Sequence, residues 1–213
     1  KSAQVFEYAK HASEYGVKVS GEVIPDFGAM VTRSRSVADG MSKGIQFLFR
    51  KNSIELIKGF GKILSAGKVE VALPDGSRST VEAAHIVLAT GARSKELPGL
   101  KQDGKRIIGY REAMTLQEQP ESMIIVGSGA IGSEFANFYQ SIGTKVTLIE
   151  FLPRIVPNED EEVSKQLERS FKKTGMKVMV SSAVESAEVK NNKCIATVKT
   201  PKGSETIEAD VIL

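Results

Sequence analysis

The chain has 213 residues, with 29 Lys and Arg against 26 Asp and Glu, a formal net charge of +3. Its hydrophobic content of 41% and charged content of 26% are ordinary for a folded globular protein and argue against disorder. So balanced a charge is evidence against nucleic acid or an anionic membrane as the main partner. No run of about 18 apolar residues is present, which excludes a transmembrane helix.

The residues that bind metals or form disulfides are scarce. The single cysteine, Cys194, excludes an internal disulfide framework and a cysteine-based zinc cluster. The two histidines, His11 and His85, lie far apart, so we expect no metal site. The chain opens at Lys1 without a signal or transit peptide pattern and stops at Leu213 within an apolar, strand-like run. We therefore expect a piece of a longer protein.

In the first half, apolar spacing predicts a helix from Ser2 to about Tyr15, ended by Gly16, and a longer helix further on. The apolar face of the longer helix consists of Val37, Met41, Ile45 and Leu48. Short strands are predicted at residues 54–57, 69–73 and 80–83, a buried strand at 85–90, and an interdomain connector at 98–120 containing a short strand at 107–108. The sequence Pro74-Asp75-Gly76-Ser77 predicts a hairpin turn.

In the second half, a strand–helix–strand unit is predicted. Residues 122–126 form a compact apolar strand, a helix follows that Gly143 ends, and residues 145–150 form the next strand. A unit of about 30 residues in this order favours a parallel, doubly wound α/β sheet. A helix at 161–173 and strands at 176–180, 184–189, 194–200 and 205–208 complete the prediction, with turns at Asn191-Asn192 and residues 201–203.

Between the first strand and its helix lies the glycine motif Gly127-Ser128-Gly129-Ala130-Ile131-Gly132. Gly127 permits the tight turn out of the strand, Gly129 lets a pyrophosphate approach the backbone, and Gly132 allows the helix to pack closely on the sheet. The start of the helix supplies unpaired N–H groups and a partial positive charge. Such a motif is weak evidence alone, but the strand before it and the helix after it predict a dinucleotide site.

The residue at the end of the second strand distinguishes between nicotinamide cofactors. Glu150 lies about twenty residues after the motif, where a carboxylate accepts hydrogen bonds from a ribose 2′-hydroxyl. It would repel the 2′-phosphate of NADP, so NAD is preferred. Arg154 nearby softens this preference, and NADP therefore remains an alternative, as does a glycine turn that binds no nucleotide.

Three other candidate residues have simpler interpretations. Glu134, in the first turns of the helix, is explained by favourable charge near a helix N-terminus. Cys194 lies in a hairpin without a neighbouring base and is interpreted as a structural thiol. His85 is interpreted as an ordinary polar residue at a strand edge.

Several separate segments are similar to one known family. The motif Gly127 to Glu134 (GSGAIGSE), the strand ending at Glu150 and the segment Arg154-Ile155-Val156-Pro157 resemble the NAD-binding domain of the dihydrolipoyl dehydrogenases, flavoprotein pyridine nucleotide-disulfide oxidoreductases. Residues 33–61 and the Ala-Thr-Gly turn at 89–91 resemble the later part of that family's flavin domain. Related flavoprotein disulfide reductases share the glycine motif and the Ala-Thr-Gly turn, so these two features do not single out one member.

The resemblance implies the cofactors and their sites. In that family a dithiol reduces an active-site disulfide, and the electrons pass through FAD to NAD. It implies that NAD would contact the motif from Gly127 through Ser133, together with Glu150 and Val184. Glu134 would lie beside the nicotinamide and the flavin, where the family pairs it with a lysine. The residues implied for FAD are Gly61, Ala89, Thr90 and Gly91.

The same resemblance divides the chain and limits its activity. It implies a partial FAD-binding domain at 1–118 and a nearly complete NAD-binding domain at 119–213. The redox cysteine pair, the first FAD glycine motif and the dimerisation domain of the family have no counterpart in the sequence. We therefore expect the fragment itself to be inactive, to hold FAD poorly, and to expose core surface in its flavin part.

The resemblance also implies the setting of the parent protein. It would be a homodimer that oxidises dihydrolipoamide on the lipoyl carrier domain of a 2-oxoacid dehydrogenase complex, in the cytoplasm or, in a eukaryote, the mitochondrial matrix. The alternatives are another NAD-linked flavoprotein disulfide reductase, of the mercuric or NADH-dependent type, and a nucleotide-binding module without redox chemistry.

Overall fold

A computed structural model describes all 213 residues, which form two compact units. One unit combines residues 1–32 with 94–213, and the other comprises residues 33–93. None of the helices has the length and apolarity needed to cross a bilayer. No cluster of three or more His, Cys, Asp or Glu residues is arranged to hold a metal ion.

A four-stranded parallel sheet forms the centre of the first unit. The βαβ unit is present as predicted, and the elements in and beside the sheet are β4 (Ser122–Val126), α4 (Ala130–Ser141), β5 (Lys145–Ile149), α5 (Glu161–Lys173), β6 (Lys177–Met179) and β10 (Val211–Ile212). The strand order is β10-β4-β5-β6. The chain leaves β4 towards β5 and β6, whereas β10 lies on the other side of β4. This reversal places a topological switch point at the carboxyl ends of β4 and β10.

Apolar side chains cover both faces of this sheet. Because successive side chains of a strand point to opposite faces, Met123 and Ile125 of β4 enter one cluster and Ile124 enters the other. The first cluster contains residues of α4 and α5, together with Phe6 of α1 (Ser2–Lys10). The second contains Cys194, Ala196 and Val198, which are fully buried. Burial on both faces accounts for the unbroken apolar run of β4.

An antiparallel meander covers the second face. It comprises β7 (Ala183–Lys190), β8 (Lys193–Thr200) and β9 (Gly203–Ala209). Its first turn is formed by Asn191 and Asn192, with φ angles of 49° and 65°. Asparagine tolerates this left-handed region better than most residues, and two such residues in succession are typical of a tight hairpin turn. All three strands were predicted from the sequence, with boundaries that differ by one or two residues.

The second unit contains an antiparallel sheet of β1 (Phe60–Ser65), β2 (Lys68–Ala72) and β3 (Arg78–Glu82). The predicted turn at residues 74–77 is confirmed by a hydrogen bond of 2.9 Å from the Leu73 N–H to the Ser77 carbonyl. Most of α2 (Phe27–Lys51) also belongs to this unit. The apolar face predicted for this helix is half or more exposed at Met41, Ile45 and Leu48.

Three strand predictions in the chain's first half are wrong. Residues 54–57 and 85–90 form no strand, and β1 lies instead at residues 60–65. The segment 85–90 has no neighbouring strand to supply hydrogen bonds, and Val87 and Leu88 are 87% and 71% exposed. The pair at 107–108 forms one isolated bridge, between Ile107 and Ile212, rather than a strand. The predicted connector also contains a short helix, α3 (Tyr110–Ala113).

Candidate functional site

The glycine motif forms the turn between β4 and α4, and each glycine in it occupies a different environment. Gly127 has a φ of 96°, a conformation that favours glycine, and its N–H donates to the Ile149 carbonyl at 2.8 Å. A Cβ at Gly132 would overlap the carbonyl oxygen of Gly127, whereas a Cβ at Gly129 would meet open space. Gly132 is therefore required for close packing, and Gly129 leaves the outer surface of the turn bare.

The helix that follows begins without a side-chain cap. Gly129 is its N-cap residue and has no side chain to accept a hydrogen bond. The first helical bond runs from the Ser133 N–H to the Gly129 carbonyl at 2.9 Å. The earlier N–H groups of a helix have no partner within the helix, and together with the helix dipole they favour an anion. This end of α4 therefore suits the diphosphate of a dinucleotide.

Glu150 follows β5 immediately, and its side chain is directed at the glycine turn. Its Oε2 accepts hydrogen bonds from the Ser128 N–H at 2.8 Å and the Ser128 hydroxyl at 2.7 Å, and its Oε1 accepts from the Leu152 N–H at 2.9 Å. All three donors are neutral groups, so none of these bonds pairs the carboxylate with a cation. Glu150 is only 7% exposed. This buried carboxylate lies at the end of the second strand, the position from which an acidic residue of the dinucleotide motif contacts a ribose.

The guanidinium group of Arg154 is directed elsewhere. Its Nη2 donates to the Pro157 carbonyl at 3.0 Å, within the loop that follows β5. The Arg154 side chain is thus bonded within its own loop. The donors to the Glu150 carboxylate come instead from Ser128 and Leu152. The arrangement favours an unphosphorylated ribose, because the carboxylate is the charged group fixed beside the turn.

A cavity of about 440 Å³ lies against the glycine turn. One wall is formed by the motif, and the remaining lining is mostly apolar, with Ser94, Lys95, Gln102 and Tyr110 as polar members. The apolar lining residues are Leu97, Leu100, Ile107, Ile108, Ile125, Val126, Ile131, Ile212 and Leu213. A largely apolar cavity at the switch point of an α/β sheet is the expected position for a ligand.

Part of this cavity was not found by sequence reasoning. Ile107, Ile108 and Tyr110 lie in the segment interpreted as a connector, yet they line the cavity. The apolar pair at 107–108 was the only signal in the sequence, because an interdomain connector has no reason to bury two isoleucines. Both isoleucines are buried, with exposures of 6% and 3%.

The remaining predicted NAD residues have mixed positions. Ser133 is buried under the turn, where its hydroxyl donates to the Ser128 carbonyl at 2.9 Å. Val184 is half-buried and packs against the cluster that covers the second sheet face. Glu134 is exposed on α4. Gly127, Gly129, Ala130, Ile131 and Gly132 line the cavity together.

The residues expected to bind FAD are not gathered in this way. Gly61 lies on β1, whereas Ala89, Thr90 and Gly91 lie in a segment without helix or strand, and all four are exposed. An FAD site needs surfaces that exclude solvent from the cofactor. These four positions alone do not form such a surface.

Comparison with known proteins decides the family. The sequence profile described as pyridine nucleotide-disulphide oxidoreductase matches residues 3–213. The chain belongs to this family. It is 47% identical to a dihydrolipoyl dehydrogenase of Chlorobaculum parvum over 178 residues, which is 84% of the chain and 38% of the relative. It is 41% identical to the dihydrolipoyl dehydrogenase of Chlorobaculum tepidum over all of the chain and 45% of the relative.

Solved structures agree with this assignment. The structure of LpdA from Mycobacterium tuberculosis matches with a TM-score of 0.86 and 26% identity, over all of this chain and 46% of that one. The HOCl-induced flavoprotein disulfide reductase RclA of Escherichia coli matches 89% of this chain and 42% of its own length, with a TM-score of 0.72. At 22% identity, the second likeness shows the fold alone. The chain spans less than half the length of the relatives that it matches.

Proposed function

We propose that this chain is the central part of a dihydrolipoyl dehydrogenase, an FAD-dependent enzyme that oxidises dihydrolipoamide and reduces NAD. The observation that carries the proposal is the buried Glu150 carboxylate, fixed at the glycine turn of a chain that is 41–47% identical to proteins with this name. Of the two nicotinamide cofactors, this arrangement favours NAD, whose adenosine ribose carries no 2′-phosphate.

The residues of the NAD site would have separate roles. The N–H groups at the start of α4 would hold the diphosphate, Glu150 would accept a hydrogen bond from the adenosine ribose, and Val184 would lie against the adenosine. The apolar cavity would exclude water from the nicotinamide end. Bound NAD supplies the hydride acceptor, and Glu134 would contact the nicotinamide and flavin edge.

A titration tests the nucleotide part of this proposal. We expect the 213-residue chain to quench or shift NADH fluorescence saturably and to bind NADPH at least about tenfold more weakly, because the 2′-phosphate meets a fixed carboxylate. Glu150→Gln should weaken NADH binding by about tenfold, as expected for loss of a charged hydrogen bond. Glu188→Gln, at an exposed glutamate of β7, is the control and should bind like the parent. Absence of saturable binding would contradict the proposal.

A second testable property is the binding of FAD by the 213-residue chain itself. We propose that the purified 213-residue chain holds little FAD and has no dihydrolipoamide–NAD activity, because its four FAD positions are exposed. An absorbance spectrum of the purified chain tests this directly. A flavin band corresponding to one FAD per chain would overturn it.

The same relatives support a proposal for the biological setting. We propose a homodimeric parent enzyme that reoxidises the lipoyl carrier domain of a 2-oxoacid dehydrogenase complex, in the bacterial cytoplasm or the mitochondrial matrix. Both bacterial and mitochondrial dihydrolipoyl dehydrogenases are among its relatives. The activity of the full-length protein with dihydrolipoamide, compared with mercuric ion and with disulfide substrates, separates this function from that of another NAD-linked flavoprotein reductase.

A further inference from the structure

Ser128 is fully buried between the glycine turn and β5, although it lies in a segment that a phosphate would approach. Its N–H and its hydroxyl both donate to Oε2 of Glu150, at 2.8 and 2.7 Å. The side chain therefore contacts the carboxylate that would bind the ribose. A hydroxyl that bonded a phosphate would instead be exposed on the outer surface of the turn.

The position of Ser128 is itself fixed from two other directions. Its carbonyl oxygen accepts from the Ser133 hydroxyl at 2.9 Å and from the Val156 N–H at 3.0 Å. The backbone of Glu150 is fixed as well, since its N–H donates to the Met179 carbonyl and its carbonyl accepts from the Ser182 N–H, both bonds close to 2.9 Å. The Ser128 hydroxyl is therefore held beside a carboxylate whose own backbone is also fixed by hydrogen bonds.

The hydrogen-bond count limits how Glu150 can meet a ligand. A carboxylate oxygen has about two acceptor positions, and two donors from Ser128 occupy those of Oε2. Oε1 accepts only the Leu152 N–H and keeps one position available. Oε1 is therefore the atom that can accept a ribose hydroxyl, and Ser128 determines which oxygen is presented.

We infer that Ser128 is a positioning residue that selects NAD over NADP by fixing the Glu150 carboxylate. This inference rests on the function proposed above and extends it to a residue that does not touch the selected ribose group. Without the hydroxyl, Oε2 keeps only the Ser128 N–H bond, so the carboxylate has one bond fewer and a second open acceptor position, and it presents Oε1 less consistently. Recognition of the 2′-hydroxyl weakens, and repulsion of a 2′-phosphate weakens with it.

The test is a double-mutant cycle on the 213-residue chain, with NADH and NADPH as the probes. Ser128→Ala should weaken NADH binding about fivefold and leave NADPH binding unchanged or stronger, so that the NADH preference falls. In a Glu150→Gln background the same substitution should change NADH binding by less than about twofold. Ser128→Cys, which offers a weaker donor, should give an intermediate preference.

Thr144→Val is the matched control, because it removes another buried hydroxyl, which donates to the Pro120 carbonyl at the far end of β5. It should leave the NADH preference unchanged. If Ser128→Ala weakens NADH and NADPH binding equally, or changes neither, the inference is overturned and the proposed function stands. If the parent chain binds neither nucleotide saturably, the proposed function fails, and the inference fails with it.

Discussion

At the scale of single residues, Gly132 and Gly129 at the start of α4 differ in whether a side chain would fit. Gly132→Ala would place a methyl group against the Gly127 carbonyl oxygen, a backbone atom that cannot move aside. We expect a loss of about 1–3 kcal/mol in the free energy of unfolding, as is usual for overpacking. Urea unfolding followed by circular dichroism measures it.

Gly129→Ala is the matched variant, because its added methyl group meets open space and its φ of −62° suits alanine. The stability should change by less than about 0.5 kcal/mol, the usual range for surface positions. NADH binding should nevertheless weaken, because the methyl group covers the surface that a diphosphate approaches. If Gly129→Ala and the unsubstituted 213-residue chain bind NADH equally well, the phosphates lie elsewhere.

Asp210 links the last strand of the sheet to the beginning of β4. It accepts from the Ser122 N–H and hydroxyl, at 2.8 and 2.9 Å, and from Lys193 at 2.6 Å. Burial alone would raise the pKa of Asp210, but the hydrogen bonds from Lys193 and Ser122 outweigh it and lower the pKa below its usual value. A lowered folded-state pKa stabilises the protein above the unfolded value near 4 and loses that contribution as the pH falls.

Asp210→Asn should therefore lower the free energy of unfolding by about 1–2 kcal/mol at pH 7, with the difference between the two proteins shrinking below about pH 4. Urea unfolding at both pH values measures this. Glu205→Gln, which breaks an exposed contact of 3.8 Å with Lys177, is the control and should cost less than about 0.5 kcal/mol. A difference between Asp210→Asn and the parent that does not depend on pH would contradict the interpretation.

At the scale of elements, burial distinguishes positions that look alike in the sequence. Ile45 lies on the apolar face of α2 and is 50% exposed, whereas Leu148 of β5 is fully buried. Leu148→Ala should cost about 2–5 kcal/mol in the free energy of unfolding, and Ile45→Ala less than about 1 kcal/mol. Chemical unfolding of both variants measures the contrast. Comparable losses would show that the face of α2 is buried in solution.

Elements that pack on a core within this chain were predicted more accurately than apolar segments that are exposed. The strand at 122–126 and the helix at 161–173 were predicted with the observed boundaries, because their apolar pattern matches a core that the chain itself supplies. The helix also has a clear start signal, since Asp160 caps the N–H groups of Glu162 and Val163. The strand at 85–90 failed because apolar content predicts burial, whereas a strand also needs a neighbour.

At the candidate site, the sequence predicted residue types better than contacts. Gly127, Gly129 and Gly132 and the approach of Glu150 followed from motif spacing, which reports fixed backbone geometry. The bond from Ser128 to Glu150 was not predicted, because Ser128 occupies a variable position of the motif and only the register of β4 against β5 brings the two side chains together. The contribution of Ile107 and Tyr110 to the cavity was also missed, because it depends on contacts with segments that lie apart from them in the sequence.

At the scale of the whole molecule, the chain divides into units with different burial. The unit of residues 1–32 and 94–213 contains the parallel sheet, both buried clusters and the cavity at the switch point. The unit of residues 33–93 exposes large apolar side chains on α2 and at residues 85–90. The first unit therefore contains the glycine turn and the Glu150 carboxylate of the candidate nucleotide site, whereas the expected FAD positions of the second remain exposed.

A crystal structure of the 213-residue chain grown with NAD tests the central claim most directly. We predict density for the diphosphate at the start of α4 and for the adenosine ribose within hydrogen-bond distance of Glu150 Oε1, with the Ser128 bonds to Oε2 retained. Density for the nucleotide at another surface, with the glycine turn and the Glu150 carboxylate untouched, would contradict the account.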